Sequence, residues 1–289
     1  MSVDVLQEKI RKTKNPTVLY FDGVTDWIPP QIRDNAGSEA EAYGAFCRSL
    51  LGELRGVIPA VRFGFGGFSL LGAEGMDVLS TLLREADRLG YYVFLDAPAI
   101  YNVQTAKYAA AVLGKKDGLY PFDGLVVSSW LGTDVWKALL PLCKEGKTLF
   151  PTVRTANKSA SEVQDLITGG RLVHTAVADL VNRLGEQDVG KCGYSQVGVV
   201  ASASMADSLR TLRTKYPRLF LLLDGYDYPK ANAKNCSFAF DKLGHGAVAC
   251  ASESILKAWQ EGEAADYLCL SREAAERMKK NLTRYISVL

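Results

Sequence analysis

The residues of this chain best able to do chemistry are charged side chains placed at the ends of short apolar runs. Asp22 follows Thr17–Phe21, Arg62 ends Val57–Arg62, Asp96 ends Tyr91–Asp96, and Asp224 follows Leu219–Leu223. A carboxylate in such a place can serve as an acid, a base or a fixed charge beside a ligand, or it can cap a loop or helix. Both readings stay open for Asp22 and Asp96. Arg62 is expected to pair with Asp96 across neighbouring strands, because a buried unpaired charge is costly. Asp224, Tyr226, Asp227 and Tyr228 form a polar and aromatic group that is either a specificity element or a rigid loop packed by its tyrosines.

Other patterns exclude chemistries. The glycines of Phe63-Gly64-Phe65-Gly66-Gly67-Phe68 lack the Lys-Ser/Thr of a phosphate loop and read as a tight strand-end turn. No Gly-x-Ser-x-Gly elbow is present, and neither His174 nor His245 has a catalytic partner visible in the sequence. The cysteines, at 47, 143, 192, 236, 250 and 269, are widely separated and form no Cys-x-x-Cys pair, so free thiols are expected and no metal site is predicted.

Those residues must be positioned by the elements between them. Eight apolar runs read as strands: Thr17–Phe21, Val57–Arg62, Tyr91–Asp96, Gly124–Val127, Thr148–Val153, Gln196–Ala201, Leu219–Leu223 and Ala247–Ala251. Amphipathic stretches separate them, such as Ala40–Leu54 and Gly75–Leu89, and this alternation is that of βα units around a parallel sheet. Residues 164–193 read as one long helix or two broken ones capping one end of the barrel. In the tail, Met278, Leu282, Ile286 and Leu289 predict a docked terminal helix over Arg272–Tyr285. The fold class is therefore α/β, a (β/α)8 TIM barrel with an additional C-terminal helix, in a single domain over residues 1–289.

The chain has 289 residues, 48% of them hydrophobic and 23% charged, enough for one large core, and its net charge of +2 comes from interspersed signs. No basic patch points to nucleic acid, no apolar run is long enough for a membrane, and no signal sequence is visible. A cytoplasmic protein without nucleic-acid or membrane partners is expected.

The order of several landmarks resembles the longer bacterial form of the orotidine 5′-phosphate (OMP) decarboxylase family over about residues 15–260, ahead of a helical tail at about 261–289. These are Asn15-Pro16-Thr17 leading to Asp22-Gly23, Val57–Arg62, Gly72-Ala73-Glu74-Gly75-Met76, Leu95–Ala106, Trp130–Asp134, Thr155-Ala156-Asn157, Gly193-Tyr194-Ser195 and Asp224-Gly225-Tyr226. The resemblance implies a (β/α)8 barrel, a homodimer joined on the site side, and removal of carbon dioxide from a pyrimidine nucleotide without a cofactor. That reaction asks catalysis for about 20 kcal/mol, drawn from placed charges and from grip on the phosphate.

Carried over residue by residue, the resemblance is incomplete. The family's Asp-x-Lys-x-x-Asp reads Asp96-Ala97-Pro98-Ala99-Ile100-Tyr101 here, so Asp96 is kept, Pro98 stands for the proton-donating lysine and Tyr101 for the second aspartate. Proline has neither charge nor N–H, and a phenol is neutral near pH 7. Arg62 stands for another lysine, and a guanidinium is effectively never deprotonated. Among ligand-binding positions Asp22 is kept and Thr155 begins one landmark. Ser128 stands for an asparagine, Tyr226 lies in a changed loop, Pro229 stands for a glutamine, and Glu253 stands for the phosphate-binding arginine. Reversing that charge turns attraction into repulsion, worth roughly 4 kcal/mol for a unit pair about 4 Å apart at an effective dielectric near 20. The expectation is a family member that has lost or weakened OMP decarboxylation and binds a small molecule, with nucleotide binding left open, or regulates a partner. The alternatives are a decarboxylase with a rearranged site or a barrel enzyme with a new reaction.

Overall fold

A computed structural model of the chain describes residues 2–113, 115 and 118–287. The order is α1 (Ser2–Thr13), β1 (Thr17–Phe21), α2 (Glu39–Glu53), β2 (Ala60–Gly64), α3 (Phe65–Leu70), α4 (Gly72–Leu89), β3 (Tyr92–Asp96), α5 (Val103–Leu113), β4 (Gly124–Val127), α6 (Thr133–Leu139), β5 (Thr148–Pro151), α7 (Val173–Gly185), β6 (Val199–Ser202), α8 (Ala206–Lys215), β7 (Leu221–Asp224), α9 (Ala233–Ser237), β8 (Ala247–Ala251), α10 (Glu253–Leu256) and α11 (Tyr267–Thr283), with further short turns between them. The eight strands are parallel in the order β5-β4-β3-β2-β1-β8-β7-β6. Parallel bridges from Leu149 to Val197 and from Thr152 to Val200 join the two outer strands and close the barrel.

Strand alternation divides the core in two. Leu19, Val61, Leu95, Leu125, Leu149, Leu221 and Ala249 face the helices. Val18, Tyr92, Phe94, Phe150, Phe220, Leu222 and Val248 fill the interior. There Phe94 and Phe150 meet edge to face with centroids 5.2 Å apart, and Phe150 meets Phe220 at 6.5 Å. Gly198 makes room for Phe150: a Cβ on it would lie 2.5 Å from the Phe150 ring.

The sequence reading overlooked α1, although its Val3, Leu6 and Ile10 follow a helical stripe. These side chains are buried against the interior cluster and seal the N-terminal end of the barrel. Two polar bonds fix the plug, from Ser2 Oγ to Tyr92 Oη at 2.9 Å and from Val3 N–H to Gln196 Oε1 at 3.1 Å.

Three local expectations change. Residues 164–193 form neither one long helix nor two broken ones; a single helix, Val173–Gly185, lies within them. After the short helix Ser161–Gln164 comes a two-stranded hairpin, Ile167–Thr168 with Arg171–Leu172, turned by Gly169 and Gly170, and helix begins again only at Val173. The N-terminal end of the barrel is capped by α1. The glycine run is not a tight turn: Gly66 and Gly67 lie within α3, and Gly67 packs so closely on the end of β1 that a Cβ there would fall 1.6 Å from the Asp22 carbonyl oxygen. The terminal helix begins earlier than expected, at Tyr267, and docks through Ala274, Ala275, Met278 and Leu282. Leu289, included in the predicted stripe, lies outside the described residues.

Candidate functional site at the barrel mouth

The inward-facing parity that fills the barrel with aromatics continues to its C-terminal end, where the same positions become polar. Tyr20 is paired in register with Arg62 between β1 and β2, Asp96 ends β3 and Asp224 ends β7. Arg62 is buried and grips Asp96 with two prongs, Nε to Oδ1 at 2.7 Å and Nη2 to Oδ2 at 3.1 Å. Its Nη1 reaches Asp224 Oδ1 at 3.1 Å. The guanidinium stacks 4.3 Å above the Tyr20 ring, while Tyr20 Oη donates to Asp96 Oδ2 at 2.8 Å. Burial pulls the Arg62 pKa down, but Asp96 and Asp224 outweigh it and hold the group firmly charged. Burial and the Asp96 charge keep the Tyr20 phenol protonated. The expected Arg62–Asp96 pair is therefore present, and Asp224 extends it. This network is preorganised charge, but its one cation is already committed to two carboxylates.

Above it opens a cleft of about 540 Å³ lined by Tyr20, Asp22, Trp27, Asp224, Asp227, Tyr228, Pro229, Ser252 and Glu253, among others. Asp22 enters from the end of β1. Burial raises its pKa, and its Oδ1 has no hydrogen-bond partner. Asp227, from the loop after β7, accepts the backbone N–H of Ser252 at 2.6 Å and leaves its other oxygen unpartnered. A carboxylate of the chain itself thus occupies a donor at the end of β8. Glu253 is exposed and pairs with Lys257 at 2.8 Å, so its field on the cleft is weaker than the bare pair considered above.

The other predicted positions lie elsewhere. Tyr101 is 80% exposed on the loop after β3, Pro98 is half-buried on the same loop, and neither lines the cleft. Ser128 and Thr155 belong to a separate pocket of about 320 Å³ at the ends of β4 and β5, because the strand order sets those strands across the barrel from β8 and β1. Tyr226 packs against the outer core, where burial raises its phenol to about 12. Tyr20, Trp27 and Ser252 were missed. The parity of β1 identifies Tyr20, whereas only folding brings the other two to the cleft.

The sequence also gave no sign of a second charged cluster on the β5 side. Buried Arg154 holds Asp165 through two bonds of 2.9 Å. His174 Nδ1 lies 3.0 Å from the Gln164 carbonyl and 3.1 Å from Asp165, so that nitrogen carries the proton, and Nε2 faces Ser208 Oγ at 3.3 Å. The Arg154 hydrogen bonds hold the Asp165 carboxyl below its usual range.

A closed ring of eight parallel strands with its polar residues gathered at their C-terminal ends defines a (β/α)8 barrel of the kind that builds its sites on that face. No family model matches the chain. It is 30% identical over 269 residues to the orotidine 5′-phosphate decarboxylase of Rhodopirellula baltica, covering 89% of each chain, and 26% identical to that of Clostridium novyi, covering 98% of each. Among solved structures it resembles OMP decarboxylase from Leishmania donovani, with TM-score 0.73 at 24% identity over 97% of this chain and 98% of that one. The Plasmodium berghei orotidine 5′-monophosphate decarboxylase aligns with TM-score 0.79 at 12% identity over 99% of each chain. The chain belongs to the orotidine 5′-phosphate decarboxylase family.

Proposed function

We propose that this family member does not decarboxylate OMP at a useful rate and instead holds a small molecule at the barrel mouth, as a binding or regulatory paralogue acting in the cytoplasm. One observation carries the reading: among the described residues, no lysine, arginine or histidine lines the cleft, and Arg62 beneath it is already bound to Asp96 and Asp224. A carbanion-like state needs a proton donor, and a phosphate needs a cation or free N–H groups. Pro98 supplies no proton in the place where the family resemblance sets a lysine. Asp227 and Glu253 sit at the β8 end, where the resemblance sets a phosphate clamp.

The test is loss of OMP absorbance with the purified chain beside an Asp96→Ala control. No turnover in either is expected. Turnover that vanishes in the control would overturn the reading and return the chain to the decarboxylases.

A homodimer through the same face is part of the proposal. Leu70, Tyr101, Trp130 and Ile167, on the segments that follow β2, β3, β4 and β5, are 88%, 80%, 80% and 76% exposed. Apolar groups of this size gathered on one side support burial against a second copy. Sedimentation analysis should give a dimer that Trp130→Asp weakens; a monomeric wild type would contradict it.

A further inference from the structure

We propose that the barrel-mouth cleft is a site for a small organic cation, whose ammonium or guanidinium group is held by carboxylates while its carbon part lies against Trp27 and Tyr228. The inference deepens the reading of the mouth as a small-molecule site, and it rests on that reading.

Three observations point to the class of ligand. The first is charge. Asp22, Asp224, Asp227 and Glu253 all line the cleft, and among the described residues no cationic side chain does. The cations nearby are engaged or set back: Arg62 by Asp96 and Asp224, Lys257 by Glu253, while Lys230 follows Pro229 on the exposed loop with its side chain outside the lining. A concave wall of one sign focuses its field into the cavity and concentrates ligands of the opposite sign.

The second is incomplete satisfaction. Asp22 and Asp227 each keep a shielded oxygen without a hydrogen-bond partner. Burial raises the Asp22 pKa, and the backbone N–H groups of Asp22 and Val24 and the Arg62 charge compensate its ionised form only in part. A cation entering the cleft offsets that cost, whereas an anion adds to it.

The third is the kind of wall. Trp27, Tyr20 and Tyr228 share the lining with the carboxylates, and the faces of indole and phenol rings attract cations. Arg62 over Tyr20 at 4.3 Å already shows that attraction within the barrel. The carboxylates are spread around the cleft, and among the described residues no three His, Cys, Asp or Glu side chains gather as a metal ion requires. A cavity of about 540 Å³ fits an organic ion several carbons long.

Isothermal titration of the full-length protein at low ionic strength tests this, with putrescine as the hydrogen-bonding cation, choline as the quaternary one and UMP as the anion. Saturable binding of putrescine or choline is expected, weakening as salt is added. Putrescine alone would place the selectivity in the carboxylates, and choline alone in the aromatic wall. Asp22→Asn and Glu253→Gln should each weaken it, Asp22→Asn by about tenfold, which corresponds to about 1.4 kcal/mol. Glu253 is exposed, so its variant remains informative if Asp22→Asn fails to fold. The proposal is overturned if neither cation binds at low millimolar concentration, if UMP binds more tightly than both, or if folded variants bind the cations as wild type does. OMP turnover measured on the same preparation separates the two claims. Turnover removes the proposed loss of decarboxylation, and absent cation binding without turnover removes only this inference.

Discussion

The two ends of the barrel interior are built on the same strands and the same inward parity, yet they solve opposite problems. At the N-terminal end α1 is driven in like a stopper, and Val3, Leu6 and Ile10 complete an apolar cluster with Tyr92, Phe94 and Phe150. At the C-terminal end the interior finishes in Tyr20, Arg62, Asp96 and Asp224, linked by directional bonds and open above to a cleft. One end is stabilised by contact and removal of water, the other by matching charge to charge. The lesson is that one set of strands can carry a packed aromatic layer and, at the same inward positions further along, a layer of paired charges.

Removing matter from the closed end should give the largest effect. Phe150→Ala deletes a fully buried ring that touches Phe94 and Phe220, and should cost about 3–5 kcal/mol in denaturant unfolding. Its deficit should not vary between mildly acid and neutral pH, since no titrating group loses a partner. Arg62→Met sets the contrast. It leaves Asp96 and Asp224 without their shared cation and should cost about 3 kcal/mol near neutral pH. Neutralising one of the stranded carboxylates as well, in Arg62→Met with Asp96→Asn, should recover part of that deficit, whereas the same Asp96→Asn change should not help Phe150→Ala. No recovery in the double variant would erase the distinction between the ends.

The strands and part of the charged mouth were legible in the sequence, whereas the α1 stopper was not. Short β-branched and aromatic runs located eight strands to within a few residues, because a strand between two apolar layers must be apolar along its length. Arg62 and Asp96 could be paired on paper since both end neighbouring strands. Tyr20 shares their parity, but a tyrosine in a strand reads as filler until its hydroxyl is seen on Asp96. The helix expected over residues 164–193 would run across Gly169 and Gly170, where the left-handed backbone instead makes a hairpin. Ser128 and Thr155 were grouped with the cleft because the family resemblance sets them there. The circular strand order sets β4 and β5 opposite β8 and β1, whose ends line the cleft.

The β5 side offers a smaller test of the same idea, with charge matching away from the cleft. Asp165→Asn leaves buried Arg154 without its two-pronged partner and should cost about 2 kcal/mol near neutral pH. Asp165 titrates below its ordinary value in the folded chain, so its contribution is present above the carboxylate pKa of the unfolded chain. It fades as pH falls through the lowered folded value. Wild type and variant should therefore differ steadily near neutral pH and converge in acid. Convergence on going alkaline would contradict the assignment.

The smallest expected effect has the opposite sign. Burial raises the Asp22 pKa above its unfolded value, so the ionised carboxylate destabilises the fold. That penalty is absent below the unfolded pKa, grows as pH rises toward the folded pKa, and is complete above it. Asp22→Asn should accordingly raise stability slightly near neutral pH and leave it unchanged in acid, as read by thermal unfolding at two pH values. If Asp22 serves the fold by capping the end of β1, the substitution will instead destabilise the chain at both. A gain confined to neutral pH would mean that the mouth keeps a carboxylate against its own stability, as expected of a group retained for what enters the cleft.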